Sequence, residues 1–435
     1  MTGASGSFDL VGGRVWTAQG TEAIDSGYVS VRDGLITAVG AGEPPVDAEN
    51  AGILRVDAAG CTVIPGLTDA HVHLTTPSSH VAPVDNATYR ALVSNPAKLL
   101  NGIRNAMRAL ASGFTTLRVM GHRDVGEPEL RDFIDQGLIV GPRMLVAPWP
   151  ISMTGGRGDL FWPATVQRDA LDTADGVDDV RKMVRLQRKR GADFIKVTAS
   201  GGVLSGGDRP HWPNYTEPEL AALCEEAHDY DLKVAAHAHS SAGILRSVRA
   251  GVDSIEHGSF IDDEGIELML ERGTWLVPTL ALIDWIASGR VSSVSEEGRA
   301  KALAARDIGQ ANVRKAVAAG VRLAMGTDTT GTICPFGQHA RELELYVDAL
   351  GLTPAQALMT ATSNAAELLG IADQQGTIEP GKVADLLVVQ GDPLRDITVL
   401  RSGGIRTIFR RGVDVTDPWP GVTAVFRDEP SIFRS

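Results

Sequence analysis

The chain has 435 residues, 43% hydrophobic and 22% charged, which is long enough for one large domain and a smaller one. Its 41 Lys and Arg against 54 Asp and Glu give a net charge of −13. This balance argues against nucleic acid or an anionic membrane surface as a partner, because both require a basic face. The three cysteines form no CxxC pair, which argues against a cysteine-based zinc site or a disulfide framework. The sequence shows no secretory leader and no apolar run long enough to span a membrane. We therefore expect a cytoplasmic protein.

Both ends of the chain are predicted to consist of short β-strands. Residues 1–65 alternate β-branched residues with Gly, Asp and Pro, and the sequence RDG at 32–34 predicts a hairpin turn. Residues 373–435 return to this pattern. Two β-rich ends around a different middle predict one composite β-sandwich formed by the N- and C-terminal segments.

The middle of the chain, residues 66–372, alternates apolar runs with amphipathic helical stretches. Strand candidates are TTLRVM, RMLVAP, FIKVTAS, KVAAHAH, SIEHGS, TWLVPTL and RLAMGTD. This alternation predicts an α/β fold with a parallel sheet, and a (β/α)8 TIM barrel is the common closed form at this length. A doubly wound sheet is the alternative, although no GxGxxG follows an early strand. In a barrel, polar residues at the carboxyl ends of the strands meet at one rim.

Two histidines follow an apolar run in GLTDAHVHL. His71 and His73 are two residues apart, so on a strand both side chains point to the same face and can chelate one metal ion. The alternative is a pair of partly buried histidines that bond backbone carbonyls. We favour metal binding because further polar residues follow at the other predicted strand ends.

Lys196 lies in the apolar segment FIKVTAS, in what should be a buried strand. An ammonium without partners is costly there, and burial lowers the pKa of a lysine towards the neutral amine. A neutral amine can take up CO₂ to form a carbamate, whose two oxygens can bridge two metal ions. A snorkelling lysine and a buried ion pair are the alternatives.

Three more strand ends carry possible ligands. His237 and His257 end two strand candidates one β/α unit apart, which predicts neighbouring strands that share a second metal ion. His239 lies two residues beyond His237, nearer the mouth, and is predicted to contact substrate. Asp328 ends RLAMGTD and is predicted to coordinate the first metal ion and to accept a proton from the bridging water, with a helix N-cap as the alternative.

The other histidines give weaker signals. His122, in VMGHRD, follows a strand at the same rim and is predicted to be a lid residue or a substrate contact. The histidines expected to be solvated or to cap helices are His80, His211, His228 and His339.

Together these segments resemble the amidohydrolase superfamily, and specifically its branch of Xaa-Pro dipeptidases and imidazolonepropionase-like proteins. The resemblance covers VDAAGCTVIPGLTDAHVHL, residues 191–217, residues 233–258, LTPAQALMTATSNAAELLG and GTIEPGKVADLLVV. It implies two divalent metal ions, usually zinc, a carboxylated lysine between them, and an aspartate as general base. The ligands that it implies are His71, His73, Lys196, His237, His257 and Asp328.

Two further residues are interpreted through the resemblance. Tyr215 lies where related enzymes have a phenol that can stabilise an oxyanion, although a packing tyrosine is the alternative. Arg157 lies in MTGGRGD, where relatives often have TGGHG. Its charged guanidinium can donate hydrogen bonds to a carboxylate or carbonyl oxygen, but unlike histidine it cannot transfer a proton. This departure resembles the thiocarbamate and phenylurea hydrolases of the same branch. Alternatively, Arg157 turns away and pairs with Asp159 or another acidic residue of the rim.

The expected activity is hydrolysis of an exocyclic amide-type C–N bond by metal-activated hydroxide. The substrate would be a small molecule of the urea, carbamate or peptide-like class. The alternatives are an Xaa-Pro dipeptidase, a cyclic amide hydrolase of the imidazolonepropionase type, and a metal-binding scaffold without catalysis. The resemblance also implies a homo-oligomer.

Overall fold

A computed structural model describes residues 6–45, 52–76, 89, 92–122, 126–159, 173–202, 209, 211–289, 291, 294, 296–331, 333–401 and 403–418. His80 and residues 419–435 of the predicted C-terminal segment lie outside these ranges. Within them, no helix is both long enough and apolar enough to cross a membrane.

Strands and helices alternate through most of the chain. The strands are β1 (Phe8–Val15), β2 (Ile24–Arg32), β3 (Leu35–Ala41), β4 (Leu54–Asp57), β5 (Cys61–Pro65), β6 (Leu67–Val72), β7 (Phe114–Val119), β8 (Arg143–Val146), β9 (Phe194–Thr198), β10 (Lys233–Ala238), β11 (Ser254–His257), β12 (Trp275–Val277), β13 (Leu386–Gln390), β14 (Ile405–Arg410) and β15 (Val413–Asp414). The helices are α1 (Asn95–Ala111), α2 (Glu127–Asp135), α3 (Gly176–Lys189), α4 (Glu217–His228), α5 (Ser241–Ala250), α6 (Asp263–Arg272), α7 (Leu280–Ala287), α8 (Glu296–Ala318), α9 (Arg341–Asp348), α10 (Pro354–Thr360) and α11 (Ser363–Leu369), with a 3-10 turn at Ile397–Leu400.

One mixed sheet contains strands from both ends of the chain. Its order is β15-β14-β13-β5-β1-β2-β3, with β4 paired to β1. The two ends join where β13 runs antiparallel to β5, with Val388 opposite Val63. The predicted β2–β3 hairpin is confirmed, because Asp33 and Gly34 both have the left-handed φ values, 50° and 79°, that a tight two-residue turn requires. The sandwich arrangement and the domain bounds at 65 and 372 stay predictions.

The middle of the chain forms two parallel sheets, of order β12-β11-β10-β9 and β6-β7-β8. All but one of the predicted strands of this region are confirmed. The exception is RLAMGTD, whose prediction as a regular strand is wrong. Its backbone amides donate to three different elements: Ala324 N to the Leu276 carbonyl in β12, Met325 N to the Thr360 carbonyl in α10, and Asp328 N to the His71 carbonyl in β6. The segment therefore forms only the isolated bridge between Leu323 and Leu276.

The edges of the two parallel sheets are connected by further backbone contacts. Parallel bridges join Ile151 to Val197, Leu276 to Leu323, and Val72 to Thr329. Because parallel strands present their carboxyl ends on one side, the polar residues that follow β6, β9, β10 and β11 lie together.

The chain turns directly from a strand into a helix beside these polar residues. Helix α5 begins after Ser240, whose hydroxyl accepts a hydrogen bond from Gly243 N at 3.0 Å. The helix ends at Gly251, which has a φ of 98°. This N-cap leaves His239 between the end of β10 and the first helical turn.

Candidate active site

The predicted ligand residues come together at the strand ends. His71 lies in β6, Lys196 in β9, His237 in β10, and His257 is the last residue of β11. All four are buried. The prediction that His237 and His257 lie on neighbouring strands is confirmed, because β10 and β11 pair in parallel.

The first pair of histidines faces Asp328. The Oδ1 atom of Asp328 lies 3.6 Å from Nε2 of His71 and 3.4 Å from Nε2 of His73. His73 Nδ1 lies 3.3 Å from the Gly121 carbonyl, so a proton on Nδ1 leaves the lone pair on Nε2. Both imidazoles can thus present Nε2 to the same small volume.

In the part of the chain that the structure describes, two groups of three side chains have possible metal-ligating atoms within 4.8 Å of one another. One group is His237, His239 and His257, and the other is His71, His257 and Asp328. The rings of His239 and His257 are stacked with their centroids 4.7 Å apart. His239, which was predicted to contact substrate, therefore belongs to the same group as the predicted ligands His237 and His257.

The backbone is strained at three residues of this site. His257, Thr279 and Asp328 have φ values of 74°, 52° and 55°, a left-handed conformation that is uncommon outside glycine. Thr279 is β-branched, which makes this conformation especially unfavourable, and its Oγ1 lies 2.7 Å from Nδ1 of His257. Such strain typically clusters at functional sites, where the surrounding structure maintains it.

Four histidines of the site have pKa values that are lowered towards the neutral imidazole. Burial lowers the pKa of His71, His237 and His257 well below the ordinary value, and nearby cationic groups lower these pKa values further. Burial lowers the pKa of His239 to about 3. Neutral imidazoles have a lone pair available for a metal ion, which a protonated ring lacks.

Lys196 and Asp328 have pKa values shifted towards their neutral forms. Burial lowers the pKa of Lys196, and Arg118 and Arg157 lower it further, against the opposing effect of Glu256 and Asp328. Burial also raises the pKa of Asp328. The Nζ atom of Lys196 has no hydrogen-bond partner among the described residues. The lowered pKa favours the neutral amine of Lys196.

A buried ion pair that the sequence analysis missed orients His71. Nδ1 of His71 lies 2.6 Å from Oε2 of Glu256, and Oε1 of Glu256 accepts hydrogen bonds from Arg118 at 2.7 Å and Ser254 at 2.6 Å. A carboxylate behind a histidine fixes the tautomer that can ligate a metal ion. A signal was available, since Arg118 and Glu256 are charged residues in apolar strands, as Lys196 is.

Arg157 reaches the ligand cluster. Its Nη1 lies 3.1 Å from Nδ1 of His237, and its charge lowers the pKa of that histidine after the larger effect of burial. A guanidinium can only donate, so Nδ1 accepts in this arrangement. The loop at 154–159 thus brings a permanent positive charge next to the predicted metal ligands.

Tyr215 and His122 do not join this cluster directly. The Tyr215 hydroxyl is buried and donates to the Ala174 carbonyl at 3.1 Å. His122 is buried beside the site, where its backbone amide donates to Glu127, and it lines a separate cavity of about 400 Å³. Contact of either residue with substrate stays a prediction.

The other described histidines, which were not predicted to belong to the site, are His211, His228 and His339. His228 bonds Asp253 at 2.9 Å, and His211 is exposed. The expectation that His339 is solvated or caps a helix is wrong. It is fully buried, with Nδ1 2.7 Å from Oδ2 of Asp69, because the segment before α9 packs against the end of β6.

A family model described as "Amidohydrolase family" matches residues 62–415. The chain belongs to the amidohydrolase family. It is 34% identical to ochratoxinase of Aspergillus niger over 376 residues, which are 82% of this chain and 74% of that protein. A crystal structure of an Xaa-Pro dipeptidase with bound methionine matches with a TM-score of 0.85 at 32% identity, covering 94% of this chain and 99% of that one. Molinate hydrolase, with a TM-score of 0.80 and 23% identity over 98% of both chains, shares the fold.

Membership of this family agrees with the predicted activity class. The chain is a hydrolytic enzyme that acts on amide C–N bonds, with the α/β fold and parallel sheets of the amidohydrolases. The predicted branch is confirmed as well, since relatives of the dipeptidase and imidazolonepropionase types both match.

Proposed function

We propose that the enzyme hydrolyses an exocyclic amide-type C–N bond of a small molecule by means of two divalent metal ions. The observation that carries this proposal is the set of buried histidines with lowered pKa values in neighbouring strands, together with the buried carboxylate of Asp328 and the buried amine of Lys196. The proposed ligands are His71, His73, Lys196, His237, His257 and Asp328.

The donor set fits such ions. Imidazole nitrogens and carboxylate oxygens suit Zn²⁺, and six ligands exceed the needs of one tetrahedral ion. Nζ of Lys196 is buried without a hydrogen-bond partner among the described residues, although such groups normally have one. A carbamate on Lys196 would convert that amine into an anionic ligand with two oxygens.

Divalent ions held here would lower the pKa of a water molecule and polarise the substrate carbonyl. Asp328, whose Oδ1 lies between the Nε2 atoms of His71 and His73, is the proposed base that accepts the proton of the attacking water. It then returns the proton to the leaving nitrogen. Glu256 keeps His71 in the orientation that this geometry needs. Arg157 is the proposed donor to an oxygen of the substrate.

We also propose that the two parallel sheets form one closed (β/α)8 barrel. The bridges Ile151–Val197, Leu276–Leu323 and Val72–Thr329 support this arrangement, because they connect the free edges of both sheets. In such a barrel the ligand residues would lie at the carboxyl-terminal rim, where active sites are found.

Two substrate classes remain candidates for this site. The likeness to an Xaa-Pro dipeptidase favours a dipeptide, in which the scissile bond is a peptide bond. Arg157, in a place where dipeptidase-like relatives often have histidine, favours a compact urea or carbamate, because a guanidinium narrows the site and cannot transfer a proton. A cyclic amide is less favoured, because imidazolonepropionase-type enzymes do not need a bridging lysine.

Metal analysis combined with a substrate panel tests the proposal. We expect two metal ions per chain in the purified enzyme and hydrolysis of at least one class among dipeptides, ureas, carbamates and cyclic amides. The His71→Ala variant should lose one metal ion and nearly all activity. One ion or none in carefully prepared wild-type protein would contradict the two-metal proposal.

A further inference from the structure

A buried carboxylate behind the first ligand histidine connects two parts of the site. Asp69 accepts hydrogen bonds from His71 N at 3.0 Å, Thr327 N at 3.1 Å and Thr327 Oγ1 at 2.7 Å. Its fourth contact is Nδ1 of His339 at 2.7 Å. Since Thr327 directly precedes Asp328, this carboxylate holds the backbone of two proposed ligands together.

A second buried carboxylate supports the opposite side of the site. The two oxygens of Glu342 accept hydrogen bonds from Leu280 N at 2.8 Å and Ala281 N at 2.5 Å, in the first turn of α7. The residue immediately before this turn is Thr279, whose hydroxyl lies 2.7 Å from Nδ1 of His257. Glu342 therefore anchors the strained residue that orients His257.

His339 and Glu342 belong to one turn, in which Glu342 N donates to the His339 carbonyl at 3.1 Å. The 339–342 turn thus contacts both the segment that carries His71 and Asp328 and the segment that orients His257. Those three ligands form one of the two candidate metal groups. The side chains of His339 and Glu342 are both fully buried.

We propose that the 339–342 turn sets the spacing between His257 and the pair His71 and Asp328, and so controls metal affinity at this centre. His339 and Glu342 are positioning residues, because each acts through another residue and neither is a proposed ligand. This inference rests on the proposed metal-dependent function. It predicts that changes in a turn outside the ligand set weaken metal binding.

The variants His339→Leu and Glu342→Gln test the inference in the full-length enzyme. Leucine suits the place of His339, whose ring lies 4.8 Å from that of Phe114 and 5.4 Å from that of Phe336, but it cannot donate to Asp69. We expect roughly 10–100-fold weaker Zn²⁺ affinity in chelator competition, the usual effect of losing the support behind a ligand. Spin coupling between two Mn²⁺ ions should also change, and kcat should fall more than KM rises.

Two controls separate positioning from general stability. Glu344→Gln removes a buried carboxylate of the same helix that pairs with Arg341 and Arg401 rather than with a ligand segment, and it should retain wild-type Zn²⁺ affinity. His339→Asn keeps a donor for Asp69 and should recover most of the affinity lost in His339→Leu. If His339→Leu does not fold, the comparison of Glu342→Gln with Glu344→Gln gives the answer.

The outcomes are distinguishable. Wild-type enzyme that binds neither Zn²⁺ nor Mn²⁺ would overturn the proposed function, and this inference with it. Two ions in the wild type, with unchanged affinity and spin coupling in Glu342→Gln, would overturn the inference alone. Equal losses in Glu342→Gln and Glu344→Gln would also overturn it, since they would indicate a loss of stability without positioning.

Discussion

Lys196 lies in the middle of a strand, where a charged side chain has few ways to be satisfied. Its Nζ atom has no hydrogen-bond partner among the described residues, and burial lowers its pKa. Glu256 and Asp328 oppose that shift through their negative charge. Because a neutral amine can take up CO₂, this residue offers the sharpest test of the two-metal proposal.

We expect Lys196→Ala to lose activity and metal, because it removes the proposed bridging carbamate. Short carboxylic acids such as acetate or propionate should partly restore both, since they can occupy the place of the carbamate. Metal content and turnover measured with and without added acid check this. Lys233→Ala is a matched control, because Lys233 bonds the carbonyls of Glu367 and Leu368 instead, and added acid should not affect it. Electron density for an unmodified Lys196, in a crystal structure with two fully occupied metal ions, would contradict carbamate formation on this residue.

Asp328 is buried, and its carboxylate lies close to both His71 and His73. The Asp328→Asn variant retains an oxygen for coordination but cannot accept a proton. Turnover should therefore drop by ~10²–10⁴, the contribution expected of general base catalysis. Steady-state kinetics and metal analysis of the same preparation test this. Near-normal turnover with both metal ions retained would assign the base to another residue.

Arg157 is expected to select the class of substrate, because its guanidinium lies 3.1 Å from His237 Nδ1 and so faces the cluster. The Arg157→His variant should shift the ratio of kcat/KM between urea-type and dipeptide-type substrates towards the dipeptides. Hydrolysis itself should persist. Metal content must be measured in parallel, since the guanidinium contacts a proposed ligand. Unchanged ratios in a variant of wild-type stability would favour a dipeptidase.

At the scale of elements, local patterns predicted the strands and the positions of the histidines. The shared orientation of His71 and His73 could be predicted from the sequence, because residues two apart on a strand point to the same face. Arg118 and Glu256 were missed because their contact depends on which strands are neighbours. The segment 322–328 was predicted as a strand from its apolar residues, but its backbone hydrogen bonds go to three different elements. Local sequence carries no information about such partners.

Helix α2 begins with a buried acid whose ionisation should affect stability. Glu127 accepts hydrogen bonds from Thr75 Oγ1 and His122 N, both at 3.0 Å, yet burial raises its pKa from 4.5 to about 8. The folded protein therefore keeps this proton at pH values where the unfolded chain has lost it. The stabilisation is fully present below pH 4.5 and is lost as the pH rises to about 8.

The Glu127→Gln variant should remove this pH dependence, because an amide has no proton to lose in this range. Between pH 5 and 8, wild-type stability should fall relative to the variant by up to about 1.4 kcal/mol per pH unit, and the difference should level off above pH 8. Unfolding curves across this range measure it. Glu129→Gln, an exposed carboxylate in the same turn, serves as the control. Parallel pH profiles for the wild type and Glu127→Gln would contradict the prediction.

At the scale of the whole molecule, β13 connects two hydrophobic clusters. Leu387 and Val389 pack in the large cluster that contains most of the helices, whereas Leu386 and Val388 pack in the cluster of the terminal sheet. The sequence predicted that both ends of the chain are rich in strands and form one composite β-sandwich. It could not predict that β13 pairs with β5, because that contact joins residues more than 300 positions apart.

Because β13 has one face in each cluster, a cavity on either face should destabilise the whole protein. Leu386→Ala and Leu387→Ala remove adjacent leucines of equal size, both fully buried, and each should lower the free energy of unfolding by about 2–5 kcal/mol. Calorimetry, tryptophan fluorescence and residual activity should report one common transition in each variant, shifted to lower temperature. Leu54→Ala, at a leucine that is 59% exposed, should leave the transition nearly unchanged. Two separate transitions in Leu387→Ala, with activity surviving the first, would show that the terminal sheet unfolds independently of the sheets that carry the candidate active site.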